Sequence, residues 1–194
     1  WTVNGDAVYL EDETTSGGLG DFGIVEANFK LRNALPLPPS GVFSFIPEFN
    51  MRFWDGPSGI GLPSNVQRIA AGFEILSPPI GGWQLLLNFT PSVGSDFEHN
   101  FSSNAWMLDG HGILYFDHSP YLTWALGAGF WDRINDQVIP YAGFIFRPNP
   151  QWEFRIVAPN PRISVVVVDW GGMKQTMYVS GEYRVEAYEM DLQP

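Results

Sequence analysis

The sequence contains no cysteine. A disulfide framework, a cysteine metal site and a cysteine nucleophile are therefore all excluded. Basic residues are also scarce: 10 Lys and Arg stand against 21 Asp and Glu, which gives a net charge of −11 at pH 7. Because phosphate contacts need clustered Lys and Arg and no basic run occurs, the composition argues against nucleic acid as a partner.

Long apolar runs are missing as well. A transmembrane helix needs about 20 consecutive, predominantly apolar residues. The longest β-branched run covers only residues 163–168 and is interrupted by Ser164. The sequence therefore does not predict a helical membrane protein.

What the sequence does contain is a large share of rings and apolar side chains. Hydrophobic residues make up 45% and aromatic residues 15%, whereas charged residues reach only 16%. An average soluble domain has about 25% charged residues. A membrane β-barrel has this composition because apolar and polar residues alternate along its strands. No internal repeat occurs, so we predict a single domain that covers residues 1–194.

The apolar residues recur with a period of two, which is typical of β-strands. Between Val42 and Trp54, Phe and other apolar residues hold the odd positions and polar residues hold most even positions. The same pattern occurs in segments 25–32, 68–75, 83–92, 122–130 and 176–186, with weaker candidates in 3–10, 105–116, 138–146, 151–158 and 163–170. About eleven strands result, and the clearest have the length of about 9 to 13 residues that spans a bilayer when tilted.

The links between these segments alternate in length. Short Pro-rich links at 36–40, 77–82, 117–120 and 147–150 alternate with more polar links, mostly longer, at 11–20, 55–65, 94–104 and 132–136. Outer-membrane barrels combine tight periplasmic turns with longer outer loops in this way, and bacterial single-chain barrels use even strand numbers. The sequence ends at Pro194 without a terminal aromatic residue. We therefore expect a further closing strand and about 12 strands in the complete protein.

Two stretches carry a resemblance to a known family: IPEFNMRFWDGPSGIGLPSNV and LGAGFWDRINDQVIPYAGFIFRPNPQWEFRIVAPNPRIS, with MYVSGEY matching more loosely. They resemble an outer-membrane β-barrel family found mainly in planctomycete-type bacteria, which has no assigned function. The resemblance covers about two thirds of the chain. It implies an up-and-down antiparallel transmembrane β-barrel in the bacterial outer membrane, and a chain that continues beyond the point matching Pro194.

If the apolar faces meet lipid, one set of charged residues points into the lumen together. Eight of the ten basic residues are Arg, whose planar guanidinium binds carboxylates bidentately. Two interpretations remain open: a self-neutralising, largely plugged lumen, or a selective pore for small solutes. The predicted lumen ladder comprises Glu26, Lys30, Arg32, Glu48, Arg52, Arg68, Glu74, Asp109, Glu153, Arg155, Glu182, Arg184 and Glu186.

Tryptophans lie near the ends of many predicted strands, where interfacial aromatic girdles occur in membrane barrels. Core packing in a soluble fold is the alternative explanation. The predicted interfacial residues are Trp54, Trp83, Trp106, Trp131, Trp152 and Trp170.

Evidence for catalysis is weak. Asp109 and His111 share a face, as in some hydrolases, but no Ser joins them by spacing. The three histidines, His99, His111 and His118, do not form a ligand motif such as HExxH. We predict no catalytic residue, cofactor or metal site.

The expected role is that of an outer-membrane envelope protein, structural or pore-forming, in contact with membrane lipid. Its acidic outer loops offer a place for other envelope proteins to dock. Two alternatives stay open: a soluble, secreted β-sandwich or lipocalin-like binding protein, and an outer-membrane hydrolase.

Overall fold

The computed structural model describes residues 1–14, 21–55, 65–97, 105–132, 137–170 and 173–181. These residues form an all-β structure. Its strands are β1 (Thr2–Thr14), β2 (Asp21–Leu37), β3 (Gly41–Asp55), β4 (Asn65–Leu76), β5 (Trp83–Ser95), β6 (Trp106–Ser119), β7 (Leu122–Trp131), β8 (Gln137–Asn149), β9 (Trp152–Ala158), β10 (Arg162–Trp170) and β11 (Met173–Ser180). Within these ranges there is no helix of the length and apolar character that a membrane span requires.

The strands form one sheet in chain order, and each strand is antiparallel to the next. The prediction of about eleven up-and-down strands is therefore confirmed. In the described part of the chain, β1 and β11 each pair with one neighbour, so the sheet is not closed into a barrel. Closure and membrane location stay predictions.

The alternation of side chains explains why these segments become strands. In β4, Val66, Arg68 and Ala70 are buried on one face, whereas Ile69 and Phe73 are exposed on the other. Neighbouring strands repeat this division in register, because Phe45 of β3 lies opposite Phe73 and their rings are 5.5 Å apart. Such cross-strand aromatic pairs each contribute about 0.2–1 kcal/mol to sheet stability.

The sheet curves towards the face that carries Arg68, which we call the concave face. In a flat sheet, strands two apart would be separated by roughly 9.5 Å. On this face, side chains from such strands nevertheless meet: Arg32 of β2 pairs with Glu74 of β4, and Arg68 of β4 lies 3.5 Å from Asp109 of β6. The opposite face, which carries Ile69 and Phe73, is the convex face.

Two glycines allow a close backbone approach where the sheet bends. A Cβ atom at Gly127 would lie 2.1 Å from the carbonyl oxygen of Gly112 in β6. Gly143 has φ of +153°, and a Cβ atom there would lie 1.9 Å from the carbonyl oxygen of Ile156. Any side chain at either position would force the strands apart, because its Cβ atom would overlap the backbone of the neighbouring strand. Glycine kinks of this kind introduce curvature into β-sheets.

The links fall at two opposite ends because the strands alternate in direction. The predicted Pro-rich links, 36–40, 77–82, 117–120 and 147–150, all lie at one end, which we call the proline-rich end. The opposite end holds the link 159–161 and the strand ends that flank the predicted polar links. Those polar links fall largely outside the described residues.

Candidate functional site

A chain of polar contacts crosses the concave face from β1 to β6. Asn28 donates to Asp6 at 2.9 Å, and Asn50 donates to Asn28 at 2.6 Å. Arg68 Nη1 then donates to Asn50 at 3.1 Å, and Arg68 Nη2 reaches Asp109 Oδ2 at 3.5 Å. We call these five residues the polar belt. It ties five of the first six strands together through side chains alone.

Arg68 is the centre of this network. It is only 9% exposed. Its Nε donates to Ser92 on β5 at 3.1 Å, and its Nη1 lies 3.5 Å from Glu48 Oε2 on β3. One guanidinium therefore faces two carboxylates, those of Glu48 and Asp109, and uses all three of its nitrogens. The planar fork of Arg suits this arrangement, whereas a single ammonium would not reach the same partners.

Three further ion pairs flank the belt. Glu26 and Arg52 are direct cross-strand partners and lie 2.7 Å apart. Lys30 and Glu48 are direct cross-strand partners too, and Lys30 lies four residues after Glu26 on β2. Arg32 reaches over β3 to Glu74.

Eight members of the predicted ladder thus meet on the concave face: Glu26, Lys30, Arg32, Glu48, Arg52, Arg68, Glu74 and Asp109. Their positive and negative charges alternate in space. The predicted members Glu182, Arg184 and Glu186 lie outside the described residues.

Glu153 and Arg155 belong to a second, separate group, which we call the Glu153 cluster. Glu153 accepts a hydrogen bond from Arg147 Nε at 2.8 Å and another from Arg162 Nη2 at 3.3 Å. Arg155 Nε lies 3.5 Å from the same carboxylate. Sequence reasoning missed Arg147 and Arg162: the first lies in a predicted Pro-rich link, and the second immediately precedes a predicted strand.

An apolar cluster lies between the two charged groups. Its buried members come from four consecutive strands, β6 to β9, and Leu86 and Tyr115 pack against them. The alternation along the strands predicts a polar inner face and does not predict this cluster. The sequence feature that could have predicted it is that Ile113 and Ile145 occupy inward-facing positions in the alternation of their strands. The buried members are Ile113, Ala125, Tyr141, Ile145 and Val157.

Asp109 and His111 both lie on the concave face, as their parity predicts, but they engage different partners. His111 stacks on Tyr141 with ring centroids 5.2 Å apart, while Asp109 contacts Arg68. In the residues that the structure describes, no group of three or more His, Cys, Asp or Glu side chains could hold a metal ion. Neither observation supports a hydrolytic centre.

The convex face is apolar and exposed along most of its length. Exposure reaches 53% for Ile69, 68% for Leu126 and 73% for Val138. Soluble monomers rarely expose contiguous apolar patches above a few hundred Å². An exposed apolar face of this kind is therefore unusual for a soluble monomer.

Four of the six predicted interfacial tryptophans lie at strand ends on the convex face and are exposed: Trp83, Trp106, Trp152 and Trp170. A register shift between Val166 and Val168 turns Trp170 to this face. Trp54 lies opposite Ile24 and Trp131 lies opposite Asp109, so both have the parity of the concave face. Trp131 also hydrogen-bonds to Tyr141. The pairing register thus excludes Trp54 and Trp131 from an outer girdle.

No protein-family model, curated protein or solved structure matches this chain. The resemblance to the planctomycete-type barrel family stays a prediction.

Proposed function

We propose that this chain forms an outer-membrane β-barrel whose convex face contacts lipid and whose concave face lines a narrow, partly filled lumen. One observation carries this proposal: the outer face is apolar and exposed, whereas the inner face holds the ion pairs. Water-soluble folds have the opposite arrangement. Burying an exposed Leu, Ile, Val or Phe side chain stabilises a protein by about 1.5–3 kcal/mol, and lipid provides that burial for the whole face.

Closure of the sheet is part of the proposal. β1 and β11 are both odd-numbered strands of an up-and-down sheet, so they run in the same direction. They cannot pair antiparallel with each other, but a strand running the opposite way would pair antiparallel with both. Open sheet edges are not tolerated in the hydrocarbon region. We therefore infer an even-numbered barrel with at least one further strand.

The contents of the lumen favour restricted passage over a wide channel. A barrel of about 12 strands is narrow enough for side chains to fill much of it. The polar belt and its ion pairs cross the β1–β6 half, and the apolar cluster occupies part of the β6–β9 half. An envelope protein that admits only small solutes fits these contents. Docking of other envelope proteins to the acidic outer loops stays a prediction, because those loops lie outside the described residues.

The alternatives fit less well. A lipocalin-like binding protein would need an apolar interior and a polar exterior, which is the reverse of what these faces carry. A hydrolase would need a nucleophile beside His111, whose ring instead stacks on Tyr141.

The proposal is tested by folding the full-length protein into lipid vesicles. We expect the unheated, vesicle-inserted protein to migrate differently from the boiled protein on a denaturing gel, and to resist protease over the described strands. A protein that stays folded and monodisperse in buffer without detergent would contradict the proposal.

A further inference from the structure

A cavity of about 510 Å³ opens on the concave side of β8 to β11, at the proline-rich end. Three cations line it, one from each of three strands: Arg147 from β8, Arg162 from β10 and Lys174 from β11. Glu153 of β9 is the carboxylate in the lining. The lining therefore has a net charge of +2, in a chain whose overall charge is −11.

The two arginines are held in place by contacts that leave donors for a ligand. Arg147 uses Nε on Glu153, and Arg162 uses Nη2 on the same carboxylate. Arg162 is also stacked over the ring of Tyr178, 5.8 Å from its centroid. Each guanidinium has five N–H donors in a fixed fork. These contacts therefore orient the two guanidinium groups and leave other N–H donors available for a ligand.

A single carboxylate cannot balance this group of cations. The two oxygens of Glu153 already face Arg147, Arg162 and Arg155. This differs from the polar belt, where Arg68 faces two carboxylates. Asp169 lies opposite Lys174 in the strand pairing, but it is exposed and does not line the cavity. The electrostatic imbalance is therefore local to the cavity.

We propose that this cavity binds a small solute through a doubly charged oxyanion group, a phosphate or a dicarboxylate. Two negative charges match the net charge of the lining, and Ser164 and Thr176 in the same lining supply hydroxyl groups for further hydrogen bonds. The volume suits a small organic molecule, since ligand sites commonly measure about 300–1,000 Å³. The binding itself does not depend on the barrel. In the barrel, the same site would select solutes at the mouth of a pore, and this role rests on the proposed function.

Titration calorimetry of the full-length protein in detergent micelles tests the site, with inorganic phosphate and succinate as separate probes at low salt. We expect saturable binding of at least one probe. Arg162→Gln should weaken it about tenfold or more, because a hydrogen bond to a charged group contributes about 1.5–3 kcal/mol. Lys174→Gln changes an exposed residue and should weaken binding while leaving the fold intact. Lys30→Gln removes a cation on the far side of the apolar cluster and is the matched control. It should change affinity less than about twofold, because Lys30 does not line the cavity and solvent and salt screen its exposed charge.

The possible outcomes distinguish a specific site from general attraction of anions, and failure of the site from failure of the barrel. Absence of saturable binding for both probes would overturn the site, and so would equal weakening by Lys30→Gln and Arg162→Gln, which would indicate only general attraction of anions. If Arg162→Gln does not fold, Lys174→Gln decides, and unchanged affinity in that variant overturns the site. Binding by a protein that needs no detergent would leave the site standing and refute the barrel. A vesicle-inserted barrel that binds neither probe would leave the barrel standing and refute the site.

Discussion

Replacement of Arg68 by alanine would remove the centre of the polar belt. The side chain is only 9% exposed, and its guanidinium contacts Asn50 and Ser92 at 3.1 Å and the carboxylates of Glu48 and Asp109 at 3.5 Å. Arg68→Ala would remove the cation that Glu48 and Asp109 share, and only Glu48 would keep a second ion pair, with Lys30, among the contacts described above. Breaking a buried pair by removing one partner costs about 3–5 kcal/mol.

The two carboxylates remain 13–17% exposed, and both ion-pair distances are long for charge-assisted hydrogen bonds. We therefore expect a loss at the lower end of that range, about 3 kcal/mol. Lys30→Ala is the matched control on the same face. Lys30 is 48% exposed and forms its ion pair with Glu48 at the surface, so its loss should cost about 0–1 kcal/mol.

The assay is reversible urea unfolding of the full-length protein in lipid vesicles, followed by tryptophan fluorescence. The expected result is a clear fall in the unfolding midpoint for Arg68→Ala and almost none for Lys30→Ala. Equal midpoints for the two variants would refute the argument that the polar belt stabilises the fold through a desolvated centre. If the midpoints differ as expected, Arg68→Met, which keeps part of the side-chain volume, shows whether lost packing alone accounts for the difference.

Other perturbations address the faces, the ends and the apolar cluster. Leu87→Arg should cost about 2–4 kcal/mol if the residue lies near the bilayer midplane, and Arg at the inward neighbour Asn88 should cost much less; equal costs by urea unfolding would indicate that both faces are packed. Because the chain has no native cysteine, Phe97→Cys and Ser40→Cys can be labelled on intact cells with an impermeant thiol reagent. Phe97→Cys should react and Ser40→Cys should not, whereas the reverse result would invert the topology. Ile145→Ala in the apolar cluster should lower stability by about 2–5 kcal/mol through the cavity it leaves, and no loss of stability would mean that the cluster is not packed.

The strand count and the two faces could be predicted because they depend on local alternation. The segment 42–54 predicted β3 to within one residue at each end. β2 extends further than predicted, from Asp21 to Leu37, because its end pairs with the start of β3 although Pro36 interrupts the pattern. β8 likewise continues to Asn149 through a register shift after Phe146. Pairing with a neighbouring strand thus extended β2 and β8 beyond the ends that the local sequence predicts.

The contacts of the concave face could be predicted only as a set of inward residues. Which carboxylate meets which cation depends on strand register and on the reach of the side chains: Arg32 on β2 extends across β3 to Glu74 on β4. The apolar cluster has a similar cause. Tyr141 fills the space above Gly129, whose hypothetical Cβ atom would lie 2.8 Å from the Tyr141 ring. That complementarity joins different strands, and no local pattern records it.

The central claim is that the convex face meets lipid, and β7 offers the most direct test. Along this strand, Trp124, Leu126 and Ala128 point outward, while Thr123, Ala125 and Gly127 point inward. Single cysteines carrying a nitroxide can be placed at positions 123, 124, 125, 126 and 128 of the vesicle-inserted protein, and their spectra measured with oxygen and with a water-soluble nickel complex. Gly127 is left unchanged, because a side chain there would clash with the backbone of β6. We expect both accessibilities to alternate with a period of two residues, with high oxygen and low nickel accessibility at 124, 126 and 128. Higher nickel accessibility at those outward positions than at the inward ones would contradict it.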